Sequence, residues 1–286
     1  MSYETEQHRR LLAFDTSTAT LAVALVQGGE VKQCTHDNAE RNHSIKLVPA
    51  MHDMLQTEQW GEAQLDGIAV GMGPGSYTGV RIAVTAAKTI AWAWNKPVIG
   101  VSSLRALALT GTAIYAASAK DRCVDANYSD KQGNFTVYPL MNARRGQVYT
   151  SSFTGFHAEL NTLLDHASQA CSREQACKVE REDSIRMFVD VAREAEQLLL
   201  ADSNQNVLFV GETIQQQDIL DELSIKFGAR IQVIPCEMDA GWIGVLGQAA
   251  LTRGEQSDVH RLEPNYTQVT EAEAKLNALN AQQANN

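Results

Sequence analysis

The chain opens with apolar runs that are separated by short polar turns. Residues 11–34 read LLAFDTSTATLAVALVQGGEVKQC, and from Leu21 to Leu25 every second residue is large and apolar. This alternation is typical of a strand with one buried face, and Gly28 and Gly29 fit a tight turn. The pattern predicts three consecutive antiparallel strands at the start of the chain.

Helical and strand-like segments alternate after this opening. Residues 43–56, HSIKLVPAMHDMLQ, have apolar side chains at helical spacing, but Pro49 lacks the N–H that a helix interior requires. We expect this helix to kink at Pro49 or to begin only shortly before it. LDGIAVGMG then reads as a strand, residues 78–95 (TGVRIAVTAAKTIAWAWN) as a second helix, and KPVIGVSSL as a buried strand.

The opening pattern occurs again in the second half of the chain. Residues 135–155, FTVYPLMNARRGQVYTSSFTG, read as strand, tight polar turn and strand, with Asn142 in the place of Asp15. Further on, VLFVG, TIQQQDILDELSIKFG, ARIQVIP and AGWIGVLGQAALTRG alternate between strand and helix. Two such openings, each followed by alternating helices and strands, predict a duplicated α/β fold with a cleft between its halves.

The duplication suggests where the halves divide. We place an N-terminal subdomain at residues 10–110 and a C-terminal subdomain at residues 111–270. The mixed polar segment at residues 111–133 is interpreted as a connecting or mobile surface segment. Residues 271–286 are of low complexity and are expected to form a disordered tail.

Composition and charge narrow the functional classes. The 286 residues are 44% hydrophobic and 20% charged, as in a soluble globular protein, and the net charge is −10. An acidic protein is a poor independent binder of nucleic acid, because that affinity comes largely from Lys and Arg. The five cysteines show no CxxC spacing and no segment resembles a signal peptide or a membrane span, so we expect a cytoplasmic protein.

A glycine-rich loop follows one of the predicted strands. Residues 71–81 read GMGPGSYTGVR, and a loop of this kind at a helix N-terminus can hold an anion. A Walker-type loop requires Gly-Lys-Ser/Thr at its end, whereas Gly79 is followed by Val80 and Arg81. The favoured interpretation is a sharp turn whose Ser76 or Thr78 caps the next helix.

The helix behind this loop is apolar on almost every side. Gly79, Ala83, Ala87 and Ala91 recur every four residues and form a stripe of small side chains. Such a helix must be covered on more than one side, and small residues let a neighbour approach closely. Burial inside its own domain explains one face, and a subunit interface shared with the 43–56 helix is the alternative for the others.

Several of these segments together resemble one protein family. They are FDTSTATLAVAL, HSIKLVPAMHDML, GIAVGMGPGSYTGVRIAVTAAKTIAWAWNKPVIGVSSL, NARRGQVY and EPNYTQVTEAEAK, and they are similar to TsaB, also called YeaZ. That family comprises the dimerization subunit of the bacterial tRNA threonylcarbamoyladenosine machinery. The resemblance covers roughly residues 11–275 and implies the duplicated RNase-H-like fold shared by actin, sugar kinases and Hsp70.

The resemblance also implies partners. TsaB is a paralogue of TsaD, the catalytic subunit that transfers threonylcarbamoyl to the adenosine beside the tRNA anticodon. TsaB pairs with TsaD through its N-terminal helices, and TsaE binds the assembly. By analogy, this chain would reach tRNA only through the complex, would use no tightly bound cofactor of its own, and would form homodimers when alone.

The metal site of the catalytic paralogue is missing according to the same resemblance. TsaD-like sequences carry two histidines four residues apart after this strand, and both ligate a metal. Here the segment reads GVSSLRAL, which places Ser103 and Leu107 at the ligand positions, and leucine cannot ligate a metal. Because His36, His43 and His52 show no metal-ligating spacing, we predict no metal site.

The phosphate motifs of the superfamily are weakened as well. In the second copy Asn142 replaces an acid, and Gly211 is followed by Glu212 where the adenosine-binding motif of TsaD would fall. We therefore expect no catalytic residues and no tight binding of ATP, which the assembled complex uses. The residues assigned to a vestigial phosphate loop are Asp15, Thr16, Ser17, Gly73, Gly75, Ser76 and Thr78.

The leading hypothesis is a non-catalytic subunit that pairs with a TsaD-type protein through a helical bundle. The predicted contacts are His43, Leu47, Val48, Met51, Leu55, Val80, Ala83, Val84, Ala87, Ala91 and Trp94. One alternative is an ATP-dependent kinase or ATPase of the same superfamily, with Asp15, Gly73, Gly75 and Thr78 lining its site. The other is a glycoprotease-like metallopeptidase, against which the missing histidine pair argues.

Overall fold

Two five-stranded mixed sheets form the framework of the molecule. The structure, a computed structural model, describes residues 9–38, 42–122, 134–154 and 178–267. The tail predicted at residues 271–286 and the cysteines at 123, 171 and 177 lie outside the described residues. No helix among the described residues is long and apolar enough to cross a membrane.

The first sheet begins with the predicted antiparallel strands, and two parallel strands extend it. Its spatial order is β3-β2-β1-β4-β5. The strands are β1 (Arg10–Asp15), β2 (Thr20–Gln27), β3 (Glu30–Asn38), β4 (Gly67–Gly71) and β5 (Val98–Val101). Both faces of β1 are buried, which explains why its sequence is apolar throughout rather than alternating.

The second sheet repeats this topology with the order β10-β9-β6-β7-β8. Its strands are β6 (Asn134–Arg144), β7 (Gln147–Thr154), β8 (Lys178–Met187), β9 (Gln205–Gly211) and β10 (Ile231–Pro235). Strands β6, β7 and β8 are antiparallel neighbours, whereas β9 runs parallel to β6 and β10 parallel to β9. The predicted duplication is therefore confirmed strand by strand.

Helices cover both sheets and fill the space between them. Those of the described residues are α1 (His43–Thr57), α2 (Tyr77–Ala93), α3 (Ser103–Arg122), α4 (Phe188–Ala201), α5 (Gln217–Phe227) and α6 (Ala240–Thr252). Helices α1 and α2 share a core with one face of the first sheet, and α4 and α5 share another with one face of the second sheet. The largest core lies between the sheets and is filled by α3 and α6.

The structure corrects two local predictions. Helix α1 begins at His43 and continues through Pro49, so the alternative that it begins only shortly before the proline is wrong. Pro49 lies exposed, so water can reach the backbone carbonyl that the proline leaves unpaired. Residues 111–122 are not a connecting segment but the second half of α3, and residues 123–133 lie outside the described part. The helix continues because Gly111 and Thr112 are buried there against the second sheet.

Helices α3 and α6 each pack on the sheet of the opposite half. Helix α3 follows the last strand of the first sheet but packs on β6 and β9, whereas α6 follows the second sheet but packs on β1, β2 and β4. The proposed division at residue 110 falls inside α3. The two halves are therefore held together by exchanged helices as well as by direct contact.

Glycines on α6 allow its close approach to the first sheet. A β-carbon at Gly244 would lie 2.3 Å from Val26 Cγ2, and one at Gly247 would lie 2.5 Å from the β-carbon of Ala69. Both distances are far below van der Waals contact. Side chains at these two positions would push α6 away from the strands that it covers.

We expect Gly244→Val to lower the free energy of unfolding by about 1–3 kcal/mol, because overpacking forces the helix and strand apart. Urea denaturation followed by circular dichroism measures this loss. Gly61→Ala is the control, since a β-carbon there would meet only the flexible end of Gln64. Equal stability of the two variants would contradict the tight packing of α6.

Candidate functional site

The glycine-rich loop lies where the first sheet presents the carboxyl ends of its parallel strands. Strands β1, β4 and β5 are parallel neighbours, so Asp15 at the end of β1 meets the loop after Gly71 and the start of α3 at Ser103. This edge is where ligands bind in many open α/β sheets. The predicted phosphate-loop residues are thus brought together in space, apart from Thr78.

A buried hydrogen-bond network occupies this edge. Ser103 Oγ donates to Asp15 Oδ2 at 2.5 Å and accepts the backbone N–H of Gly73 at 3.0 Å. The other carboxylate oxygen accepts the backbone N–H of Ser17 at 2.6 Å. Burial raises the pKa of the Asp15 carboxyl, and the hydrogen bonds from Ser103 and Ser17 oppose that rise. Both oxygens are therefore already engaged by the protein itself.

The glycines of the loop allow it to lie in close contact with the turn that follows β1. A β-carbon at Gly71 would lie 1.7 Å from Asp15 Oδ2, and one at Gly79 would lie 1.9 Å from the carbonyl oxygen of Thr16. At Gly75, φ is +156° and a β-carbon would lie 2.3 Å from the carbonyl oxygen of Ser17. Glycine at these three positions therefore lets the loop and the turn after β1 approach each other closely.

The structure confirms the prediction that a hydroxyl residue of the loop caps the helix that follows it. Ser76 is the N-cap of α2, and its hydroxyl accepts the backbone N–H of Gly79 at 3.4 Å. Thr16 Oγ1 donates to the Gly79 carbonyl at 2.7 Å and ties the helix start to the β1–β2 turn. Thr78, the other predicted cap, is exposed and faces a groove between α1 and α2.

The two positions that the resemblance assigns to the metal ligands of the catalytic paralogue make structural contacts in this chain. Ser103 belongs to the Asp15 network, and Leu107 lies in the core between the sheets, where a β-carbon on Gly211 would lie 2.6 Å from its Cδ2 atom. In the second half, the Asn142 backbone N–H donates to Glu212 at 2.7 Å. Partial burial raises the pKa of Glu212, and the hydrogen bond from the Asn142 backbone opposes that rise.

Asp183 is an acid that sequence analysis missed. It lies on β8, where Ser102 Oγ donates to its Oδ2 atom at 2.7 Å and the Asn265 amide donates at 3.1 Å. Burial raises the pKa of this carboxyl, and the hydrogen bond from Ser102 opposes that rise. Because Ser102 begins the turn into α3, Asp183 connects the edge strand of one half to the other half. Its partners are far away in sequence, so no local pattern could reveal it.

Most of the predicted interface residues face the protein's own sheet. Those in the core are His43, Leu47, Met51, Leu55, Val80, Ala83, Val84, Ala87 and Ala91, with Trp94 packed against them. The small-residue stripe lets α2 approach the sheet closely, so it is not available on the surface for a partner. Val48, with 59% of its surface exposed, is the residue of the predicted set that lies open to solvent.

Other apolar side chains of the same helices point outward. Ile45 is 70% exposed, Tyr77 57% and Trp92 69%. Beside them a groove of about 420 Å³ runs between α1 and α2, lined by Ser44, Leu47, Val48, Thr78, Arg81, Ile82, Thr85 and Ala86. We call the outward side chains of α1 and α2, together with this groove, the open helix face. It combines exposed apolar side chains with a groove between two helices, as interaction sites commonly do.

The order and directions of the strands in the two sheets define the fold class of the protein. The duplicated mixed sheet, opened each time by an antiparallel meander, is the RNase-H-like fold of the actin, Hsp70 and sugar-kinase superfamily. The solved structure of YeaZ from Pseudomonas aeruginosa superposes with a TM-score of 0.59 at 21% identity, over 90% of this chain and 99% of that one. This likeness shows the fold.

Sequence comparison identifies the family within that class. The family model of TsaD, tRNA N6-adenosine threonylcarbamoyltransferase, matches residues 36–276. The tRNA threonylcarbamoyladenosine biosynthesis protein TsaB of Bacillus subtilis is 33% identical over 93% of this chain and 96% of its own length. TsaB of Haemophilus influenzae is 31% identical over 59% of this chain and 67% of its own length. The chain belongs to the TsaB/YeaZ family, as its sequence motifs predicted.

We expect Ser103→Ala to lower the free energy of unfolding by about 1–3 kcal/mol, because it leaves the buried Gly73 N–H and Asp15 Oδ2 without their partner. Chemical denaturation at neutral pH measures the change. Ser118→Ala is the control on the exposed part of α3 and is expected to stay within about 0.5 kcal/mol of the wild type. Similar losses in both variants would contradict a stabilising role for the Asp15 network.

Proposed function

We propose that this chain is the non-catalytic subunit of a tRNA threonylcarbamoyltransferase complex and that it pairs with a TsaD-type catalytic subunit. The observation that carries the proposal is the open helix face on α1 and α2. Ile45 and Trp92 are 70% and 69% exposed on neighbouring helices. Burying such side chains in an interface favours association by removing apolar surface from water, and this gain is offset by the cost of ordering the two partners.

The non-catalytic role rests on the carboxyl edge of the first sheet. Asp15 is fully buried and both of its oxygens accept hydrogen bonds from the protein. At the two positions where the catalytic paralogue is expected to carry histidines, Ser103 holds Asp15 and Leu107 fills the core. These residues supply neither metal ligands nor a free carboxylate at this edge.

The expected mode of pairing follows from shared ancestry. A paralogue with the same duplicated fold carries helices that correspond to α1 and α2. The two chains can therefore pair across a pseudo-two-fold axis as a four-helix bundle. Without that partner the same apolar face would favour homodimers of this chain. A TsaE-type ATPase would join the assembled pair, and contact with tRNA and use of ATP would belong to the complex.

We expect Val48→Glu to weaken binding to a TsaD-type partner by about 30-fold or more, because the charge would lose its water in the interface, at a cost of about 2 kcal/mol or more. Affinity is measured by calorimetry with the purified subunits. Val189→Glu is the matched control: it makes the same change at 46% exposure on α4, which lies on the opposite half.

Equal affinity of both variants for the partner would contradict the open helix face as the interface. Magnesium-dependent ATP turnover by the isolated chain would contradict the non-catalytic role. Ala87→Glu is unsuitable as an interface test, because Ala87 is 0% exposed and the charge would disrupt the core itself.

A further inference from the structure

Three potential metal ligands from distant parts of the chain meet at the edge of the first sheet. Cys34 and His36 are two residues apart on β3, so their side chains leave the same face of the strand. Asp239 is the N-cap of α6, four residues after the end of β10. Their donor atoms all lie within 4.8 Å of one another. Sequence analysis predicted no metal site from the spacing of the histidines. Cys34 and Asp239 are 205 residues apart, so no local spacing could reveal this cluster.

The distances match one face of a tetrahedral coordination sphere. Cys34 Sγ lies 3.6 Å from His36 Nε2 and 3.2 Å from Asp239 Oδ1, and His36 Nε2 lies 3.8 Å from the same oxygen. Zinc–ligand bonds of about 2.3 Å to sulfur and about 2.0 Å to nitrogen or oxygen imply tetrahedral edges of about 3.5 Å from sulfur to nitrogen, about 3.5 Å from sulfur to oxygen and about 3.3 Å from nitrogen to oxygen. Each observed edge lies within about half an ångström of these values.

We propose that Cys34, His36 and Asp239 bind a single Zn²⁺ ion, or a divalent transition metal of similar preference, with water in the fourth position. Sulfur and imidazole nitrogen select such ions over Mg²⁺ and Ca²⁺, which prefer all-oxygen sites. One thiolate, one carboxylate and one neutral imidazole would balance the two positive charges of the ion. The half-exposed His36 leaves a path for the ion from solvent.

The groups around Cys34 act on its thiol in opposite directions. Without a metal, burial and the adjacent Asp239 carboxylate raise the pKa of Cys34 to about 12, and the thiol donates a hydrogen bond to Asp239 Oδ1. Hydrogen bonds from the backbone N–H groups of Ala240 and Gly241, at the start of α6, oppose this rise. A cation bound to both side chains would favour the thiolate, and the thiol proton would pass to solvent.

The carboxylate is also held in place. Asp239 Oδ1 accepts the backbone N–H of Gly241 at 2.7 Å, which orients the group as outer hydrogen bonds commonly do at metal sites. Glu237, the remaining charged group beside His36, accepts a hydrogen bond from Thr20 Oγ1 at 3.0 Å and adds negative charge near the site. Its charge would attract a cation.

The location gives the metal a structural role. Strand β3 is the outer strand of the first sheet, whereas Asp239 lies on the segment that leads from the second sheet back to the first. An ion bound to all three residues would fasten this returning segment, and the start of α6, to the opposite half. Metal binding would therefore stabilise the arrangement of the two halves.

Titration with Co²⁺, a spectroscopic substitute for Zn²⁺, tests the site. We expect one ion per chain, with tetrahedral visible bands and a near-ultraviolet thiolate-to-cobalt band, displaced by Zn²⁺. Cys34→Ser should abolish the thiolate band, and His36→Gln should weaken binding about tenfold or more. Cys236→Ser is the matched control, because that cysteine is outside the cluster and should leave the spectrum unchanged.

Absence of Co²⁺ and Zn²⁺ binding by the wild type, or a thiolate band that survives in Cys34→Ser, would overturn the site. Melting in chelator shows whether Cys34→Ser still folds, and Asp239 is left intact because it caps α6. Zn²⁺ should raise the melting temperature of the wild type but not of Cys34→Ser. Binding at the site without that rise would overturn the fastening role.

Discussion

The packing of α3 and α6 between the two sheets is the constraint on which the remaining structure depends. Each helix starts in one half and covers the sheet of the other, so neither half can complete its core alone. Glycines on α6 bring it close enough to the first sheet that even a methyl group would clash. This shared layer positions the carboxyl edges of both sheets.

One of those edges is closed by the protein itself. Ser103, the first residue of α3, donates to Asp15 on β1 and accepts from Gly73 in the loop, so a single hydroxyl joins helix, strand and loop. Ser102, one residue earlier, reaches Asp183 on the second sheet. The turn into α3 therefore couples the packing between the halves to the geometry of the carboxyl edge of the first sheet.

Most elements of the fold could be predicted from the sequence, but fewer of the candidate site residues could. Strong alternation revealed both hairpins, and spacing revealed α1 and α2, because local patterns record which face of an element is buried. Strand β8 carries charged residues (KVEREDSIRM) and gave no such signal. The stripe around Ala87 shows the limit of periodicity: small residues permit close approach, but spacing does not tell whether a sheet or a partner approaches. Asp183 and Asp239 meet their neighbours only through tertiary structure.

The packing of α1 and α2 on the first sheet affects how fast the proposed pair of subunits would form. Their inner faces are fixed to the first sheet by residues such as Leu47 and Val80, while Ile45 and Trp92 already point outward. A surface prepared in this way can dock as a rigid body, with only side-chain adjustment on contact. For the proposed pair, association would then need no slow refolding step, and differences in affinity would arise mainly from the dissociation rate.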